Sequence, residues 1–232
     1  MKVVVPLAGP GFELKDGSVK SEILLDGMPM LRRILESRPW WVDRIVKGGD
    51  FVFVLRDSIV SRRFQEQALK VWYPESKQVL LTDGARGAAL SSLAGVSLAF
   101  AGDDALCVDL ADILYEADSG IDIFRAGTRV GGKALVFQST NPAYSYLRTA
   151  TDGAVVEVAE KKVISTNASA GTYFFANVAI YLAALARNLG DPKRVEHRGA
   201  FFVAPVLQGV LDLGFKVEAI GVRQVLDLKM PG

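Results

Sequence analysis

A short apolar run, Val3 to Leu7, breaks into Ala8, Gly9, Pro10 and Gly11, and Lys20 follows downstream. Glycines at the end of a buried strand let the backbone come close to a phosphate, and a run of free N–H groups can cradle an anion. Lys20 is a point charge on a long stem, able to reach the same anion. In open α/β sheets the carboxyl edge of the strands is where ligands sit. The chemistry open to this stretch is the binding of a phosphate-bearing ligand. Other chemistries are poorly supplied. One Cys (Cys107) and one His (His197) leave no disulfide framework, no Cys-rich metal site and no multi-His site. His197 lies in a basic turn, Lys193 to Arg198, around which a Ser/His/Asp arrangement is not readily built.

Elements that could position such a loop alternate through the first half. Val3 to Leu7, Phe51 to Leu55, Gln78 to Leu81 and Ala105 to Val108 read as short buried strands. Between them, Met28 to Ser37 reads as a helix with Pro29 in its first turn. Ser58 is suited to cap a helix that buries Ile59, Phe64, Ala68 and Leu69. Ala88 to Phe100 is a helix of small residues. This alternation predicts an α/β chain with a Rossmann-like, doubly wound, mostly parallel sheet. The second half reads as mixed or antiparallel. Strand-like segments fall at Lys133 to Gln138, Ser145 to Arg148, Val155 to Val158, Gly171 to Ala176, Lys216 to Val222 and Val225 to Leu228. Helices fall at Asn177 to Asn188 and Val203 to Leu213. No linker or repeat divides the chain, so residues 1–232 are read as one domain. Its halves, 1–118 and 119–232, share one sheet.

Lys and Arg total 27 against 26 Asp and Glu, a formal charge of +1, which argues against nucleic-acid binding by bulk charge. No apolar run approaches the roughly 20 residues of a membrane helix. Lys2 is followed too soon by Pro6 and Gly9 for a signal peptide. The expectation is a cytoplasmic protein with no membrane partner, and a homo-oligomer is allowed.

Several separated stretches then carry a resemblance. They are Pro6-Leu7-Ala8-Gly9-Pro10-Gly11, Lys20 with Gly27, Thr82 to Ala89, Cys107-Val108-Asp109, Ser145-Tyr146, Glu160-Lys161, Ala168 to Phe174, and Val225 to Pro231 with Asp227. In this order, from Met1 to Pro231, the chain resembles the sugar-phosphate nucleotidylyltransferases of the short bacterial kind found in capsule and cell-surface pathways. The resemblance implies the nucleotide-diphospho-sugar transferase fold. It implies an NTP and a small phosphorylated acceptor as substrates, with release of pyrophosphate. Leu7, Ala8, Gly9, Gly11 and Gly84 would bind the nucleotide, with Gly84 against the base. Lys20 would stabilise the transferring phosphate, and Asp109 and Asp227 would hold Mg²⁺. Mg²⁺ takes few protein oxygens and borrows phosphate oxygens. Asp112 competes with Asp109 for this role, against the alternative of a helix cap. Glu160, Lys161 and Gly171 would bind the acceptor: a carboxylate accepts from neighbouring hydroxyls and an ammonium neutralises a phosphate.

The chain also departs from the family pattern. The Arg that should follow Gly11 is missing, although Arg86 could supply such a charge from another direction. Val19 replaces a Pro before Lys20, Ser21 and Glu22 replace an apolar pair, and Lys229 and Met230 replace Gly and Thr. These departures motivate a second reading, a non-catalytic member of the fold that binds a nucleotide, a sugar phosphate or a partner. A metal-dependent glycosyltransferase would want Asp-x-Asp, and Asp109-Leu110-Ala111-Asp112 has the wrong spacing for it.

Overall fold

The computed structural model describes residues 1–82, 86–99, 104–118, 129–191, 196–197 and 199–228. β1 (Lys2–Pro6) leads into the loop bearing Lys20. A hairpin of β2 (Leu24–Leu25) and β3 (Met28–Pro29) precedes α1 (Met30–Leu35) and α2 (Pro39–Val42). The alternation continues through β4 (Phe51–Arg56), α3 (Ile59–Phe64), α4 (Lys70–Trp72), β5 (Lys77–Leu81), α5 (Ala88–Ala99) and β6 (Leu106–Asp109). Next come β7 (Ile113–Glu116), β8 (Val130–Gln138), β9 (Tyr146–Thr149), β10 (Val155–Ala159), β11 (Asn167–Phe175) and α6 (Val178–Leu189). The chain closes through β12 (Glu196–His197), β13 (Ala200–Phe201), α7 (Ala204–Asp212), β14 (Lys216–Gly221) and β15 (Arg223–Asp227).

Among the described residues, nine strands form one sheet in the order β10-β9-β11-β6-β1-β4-β5, with β8 beside β11 and β14 beside β8. β6, β1, β4 and β5 run parallel, and β11 pairs antiparallel to β6. The sheet is therefore parallel through the first half of the sequence and mixed through the second, as the residue pattern predicts. Helices cover both faces, which is why the central strands are apolar without alternation. Val3, Val5, Phe51, Phe53 and Leu55 belong to one core with α1 and Trp40. Val4, Val52, Val54, Leu106 and Val108 belong to the other, with α6 and α7.

Some expectations are displaced. The helix expected from Met28 begins only at Met30, because Met28 and Pro29 extend to pair with Leu25 and Leu24. Ser58 does cap α3, accepting from the Ser61 backbone N–H at 3.0 Å. Ile59, expected on the buried face of that helix, is 89% exposed, while Phe64, Ala68 and Leu69 are buried. Trp40 is buried with its ring edge-on to Phe174, and Trp41 packs on Phe51 and Tyr73. β7, which had no counterpart in the sequence reading, pairs antiparallel with β15 and brings the end of the chain beside the end of β6.

Within the second core α7 packs closely on α6. A Cβ on Gly209 would stand 2.5 Å from the Ala184 carbonyl oxygen, a backbone atom that cannot swing away. Helix propensity favours Ala over Gly by about 1 kcal/mol, but forcing an atom into a packed core costs about 1–3 kcal/mol. Gly209→Ala is expected to lower the thermal midpoint despite the gain in propensity. An unchanged or raised midpoint in a melting experiment would show that the two helices slide apart freely.

Candidate active site

At the end of β1, the Leu7 N–H donates to the Val54 carbonyl at 2.7 Å, and the chain then leaves the sheet. The loop folds back on itself: the Phe12 N–H donates to the Gly9 carbonyl at 3.1 Å and the Lys20 N–H to the Phe12 carbonyl at 2.9 Å. Phe12 anchors it by packing edge-on against Phe64. Among the described residues, no atom beyond the adjacent ones in the chain lies within 4 Å of where a Cβ would stand on Gly9 or Gly11. Their open side borders a cavity of about 320 Å³ lined by Leu7, Gly9, Gly11, Lys20, Leu110 and Asp112, among others. Ala8, between them, is buried and does not line it.

A second cavity, of about 440 Å³, is lined by Tyr144, Ser145, Glu160, Lys161, Gly171 and Tyr173 and again by Leu110 and Asp112. β9, β10 and β11 bring these residues together. The Ser145 hydroxyl donates to the Glu160 carboxylate at 2.5 Å. Lys161 sits in the left-handed region (φ +50°), with Nζ 5.4 Å from the centre of the Phe202 ring. Gly171 also has positive φ (+77°), and a Cβ there would stand 3.1 Å from Asp112 Oδ1. Its carbonyl accepts from the Leu110 N–H at 2.9 Å, which fixes the shared wall against β11. Burial, with Glu160 nearby, raises the Tyr173 phenol above its ordinary range, so it stays protonated.

Asp112 stands at that wall; Asp227 is exposed, lines neither cavity, and reaches the second through Tyr144. Asp227 pairs with Ile113 across β15 and β7, and the Leu228 N–H donates to the Asp112 carbonyl at 3.0 Å. Tyr144 donates its hydroxyl to Asp227 Oδ2 at 2.5 Å. Its phenol is raised first by burial, then by Asp227 and by Asp112, so both carboxylates act on one side chain. Among the described residues no group of three or more His, Cys, Asp or Glu gathers as a metal site. Asp112 at the shared wall and Asp227 on the Tyr144 hydroxyl are nonetheless hard oxygen donors of the kind that Mg²⁺ takes, completing its shell with water and phosphate oxygens.

Asp109, expected to hold a metal, is placed differently from Asp112. Its carboxylate is fully buried, lines neither cavity, and faces Arg38, which the sequence reading did not single out. Arg38 Nε donates to Oδ2 at 2.8 Å and Nη2 to Oδ1 at 3.1 Å. Arg38 engages both Asp109 oxygens, and Asp112 is the carboxylate that lines both cavities. Gly84 lies outside the described residues. Arg86 is exposed, its guanidinium 5.3 Å from the centre of the Phe201 ring, and it lines neither cavity. Cys107 is buried and its thiol is pushed up by that burial, so it behaves as a small core residue.

No family model matches the sequence, and a search of curated proteins finds no match. Solved structures do match. A nucleoside-diphosphate-sugar pyrophosphorylase from Vibrio cholerae RC9 superposes with a TM-score of 0.80 at 20% identity, over 100% of this chain and 96% of its own. An inositol-1-phosphate CTP transferase from T. maritima gives 0.71 at 17%, over 97% and 86%. A candidate glucose-1-phosphate thymidylyltransferase from Bacillus anthracis, in complex with sucrose, gives 0.72 at 16%, over 98% and 89%. At these identities the likeness is one of fold.

The loop before Lys20 also carries Glu13, which accepts from the hydroxyls of Ser58 and of Ser61, the latter at 2.7 Å. Desolvation raises the Glu13 pKa, but the two hydroxyls and Arg56 outweigh it and the carboxyl is held below its ordinary value. A lowered carboxyl stabilises the fold above its unfolded pKa of about 4.3, and that contribution is lost as pH falls through the lowered folded value. Glu13→Gln is expected to cost about 1 kcal/mol at pH 7, the low end for a charged hydrogen bond at a partly exposed site. The deficit should shrink in acid. Urea melts at neutral and acid pH check this, and a deficit independent of pH would show that the charge is irrelevant.

Proposed function

We propose that this chain joins a nucleotide to a small phosphorylated acceptor. A phosphate oxygen of the acceptor attacks the α-phosphorus of an NTP, the bond to the β,γ-pyrophosphate breaks, and pyrophosphate leaves. The observation that carries the reading is the wall shared by the two cavities. On one side stand the Gly9 and Gly11 backbone and Lys20; on the other stand Glu160, Lys161 and Gly171; Leu110 and Asp112 face both. The fold shared with nucleotidyltransferases of sugar phosphates and inositol phosphate supports it.

The protein's work in such a transfer is alignment and charge neutralisation. The loop after β1 holds the triphosphate, with Lys20 on the transferring group. Glu160 takes acceptor hydroxyls, and Lys161 meets the acceptor phosphate. Gly171 keeps β11 close to Asp112 without a side chain between them. Asp112 and Asp227 would hold Mg²⁺, which supplies positive charge to the phosphate oxygens as the transition state forms. We assign this role to Asp112 in place of Asp109. No helix among the described residues is long and apolar enough to cross a membrane, and both proposed substrates are small water-soluble anions.

A second reading, binding without turnover, is favoured by one observation. The arginine that the resemblance leads one to expect after Gly11 is missing, and the loop carries an acid, Glu13, two positions on. Pyrophosphate release separates the two. With Mg²⁺, the four NTPs and dTTP, and a panel of sugar and polyol phosphates, the proposal expects release from one nucleotide and acceptor pair. Asp112→Asn and Asp227→Asn should each lower it by more than the ~10–100-fold typical of losing an outer-shell partner of a metal. Stabilisation by nucleotide with no release from any acceptor favours the binding reading, and full activity in both variants removes the metal assignment.

A further inference from the structure

Arg38 is the largest buried charge in the described structure, yet it touches neither cavity. Its sequence context makes it reachable. The Pro39 that follows holds Arg38 in extended conformation at the start of α2 (φ −65°, ψ 136°), so its side chain leaves the α1–α2 corner toward the end of β6. There the guanidinium takes Asp109 in a two-pronged grip, and Nη2 also donates to the Ile113 carbonyl at 3.1 Å. Arg38 thus holds both ends of the turn 109–113. Inside the turn, Asp109 Oδ1 accepts from the Ala111 N–H at 2.9 Å, and Ala111 is in the left-handed region at φ +50°, a conformation that residues with a Cβ rarely adopt. Such a conformation persists where its surroundings determine it. Asp112 is the next residue.

The support beneath this grip is itself fixed. The guanidinium carbon lies 3.8 Å from the centre of the Tyr115 ring. The Tyr115 hydroxyl is 2.7 Å from that of Thr172, which pairs with Asp109 across β6 and β11. Arg38 Nη1 is buried and makes no hydrogen bond within the described structure. A buried ion pair with an unsatisfied donor is a poor way to gain stability, since apolar residues of similar volume often serve as well or better. What the pair supplies and apolar packing could not is direction: three hydrogen bonds onto one turn.

We propose that Arg38 is a positioning residue, whose grip on Asp109 and on the Ile113 carbonyl sets the turn that presents the Asp112 carboxylate at the wall between the two cavities. The proposal rests on the reading of Asp112 and Asp227 as the metal-holding pair.

Mn²⁺ titration of the whole chain, followed by electron paramagnetic resonance at low temperature, tests it with no turnover involved. The wild type is expected to bind Mn²⁺ at a site that Asp112→Asn removes. Arg38→Met, folded by circular dichroism, should weaken that site by at least ~10-fold, as losing an outer-shell partner does. Arg38→Lys keeps the charge but loses the fork, and should fall between them. A role confined to stability would lower the melting midpoint of both variants and leave the Mn²⁺ affinity of the folded protein alone. Affinity within twofold of wild type in folded Arg38→Met overturns the proposal. If that variant does not fold, the same result in Arg38→Lys overturns it. Wild-type protein with no Mn²⁺ binding sensitive to Asp112 overturns the metal reading itself, and the proposal with it.

Discussion

A short antiparallel ribbon ties the end of this chain to its middle. β15 lies along β7, so Asp227 arrives beside Ile113 and the Leu228 N–H closes onto the Asp112 carbonyl. Without that pairing the two carboxylates would belong to separate parts of the sequence. With it, Asp112 lies at the wall between the cavities and Asp227 takes the Tyr144 hydroxyl at the second of them. The ribbon in turn depends on the turn after β6, where a buried arginine and aspartate fix the direction in which β7 sets off.

The site follows from the way the sheet is wound. Parallel strands β6, β1 and β4 end at one edge, where backbone leaves the sheet and Gly9 and Gly11 keep it bare. β11 runs antiparallel against β6 and reaches the same edge from the other direction, which brings Gly171 against Leu110 and Asp112. One edge thus receives a glycine- and lysine-lined cavity from the first half of the chain and a hydroxyl- and carboxylate-lined cavity from the second. The near-zero net charge is consistent with this economy, because a few cations at the site do what a basic surface does for a polyanion.

The fold was largely legible because its strands are continuous apolar runs ended by glycine, proline or a carboxylate, and its long helices carry caps such as Asn177. What escaped was decided by contacts far apart in sequence. Met28-Pro29 looks like a helix start and becomes a strand because Leu24 and Leu25 offer it a partner. Ile113 to Glu116 is too short to announce itself, and is a strand only because β15 returns to it. The site was half legible. Lys20, Gly9, Gly11, Gly171, Glu160 and Lys161 line the two cavities. Asp109 and Asp112 are indistinguishable as letters three positions apart, and only the burial of Arg38 against the first decides which one faces outward. An arginine beside Pro39 and two tryptophans is the signal that could have raised the question, since a charge in so apolar a stretch must be paired when buried.

Anomalous diffraction from crystals grown with Mn²⁺ and pyrophosphate tests the central claim most directly, because it reports where the cation sits and how Arg38 stands at the same time. The account predicts a peak between Asp112 and Asp227, with Asp109 still gripped by Arg38. A peak on Asp109 with Arg38 swung away, or one remote from the shared wall, would contradict it.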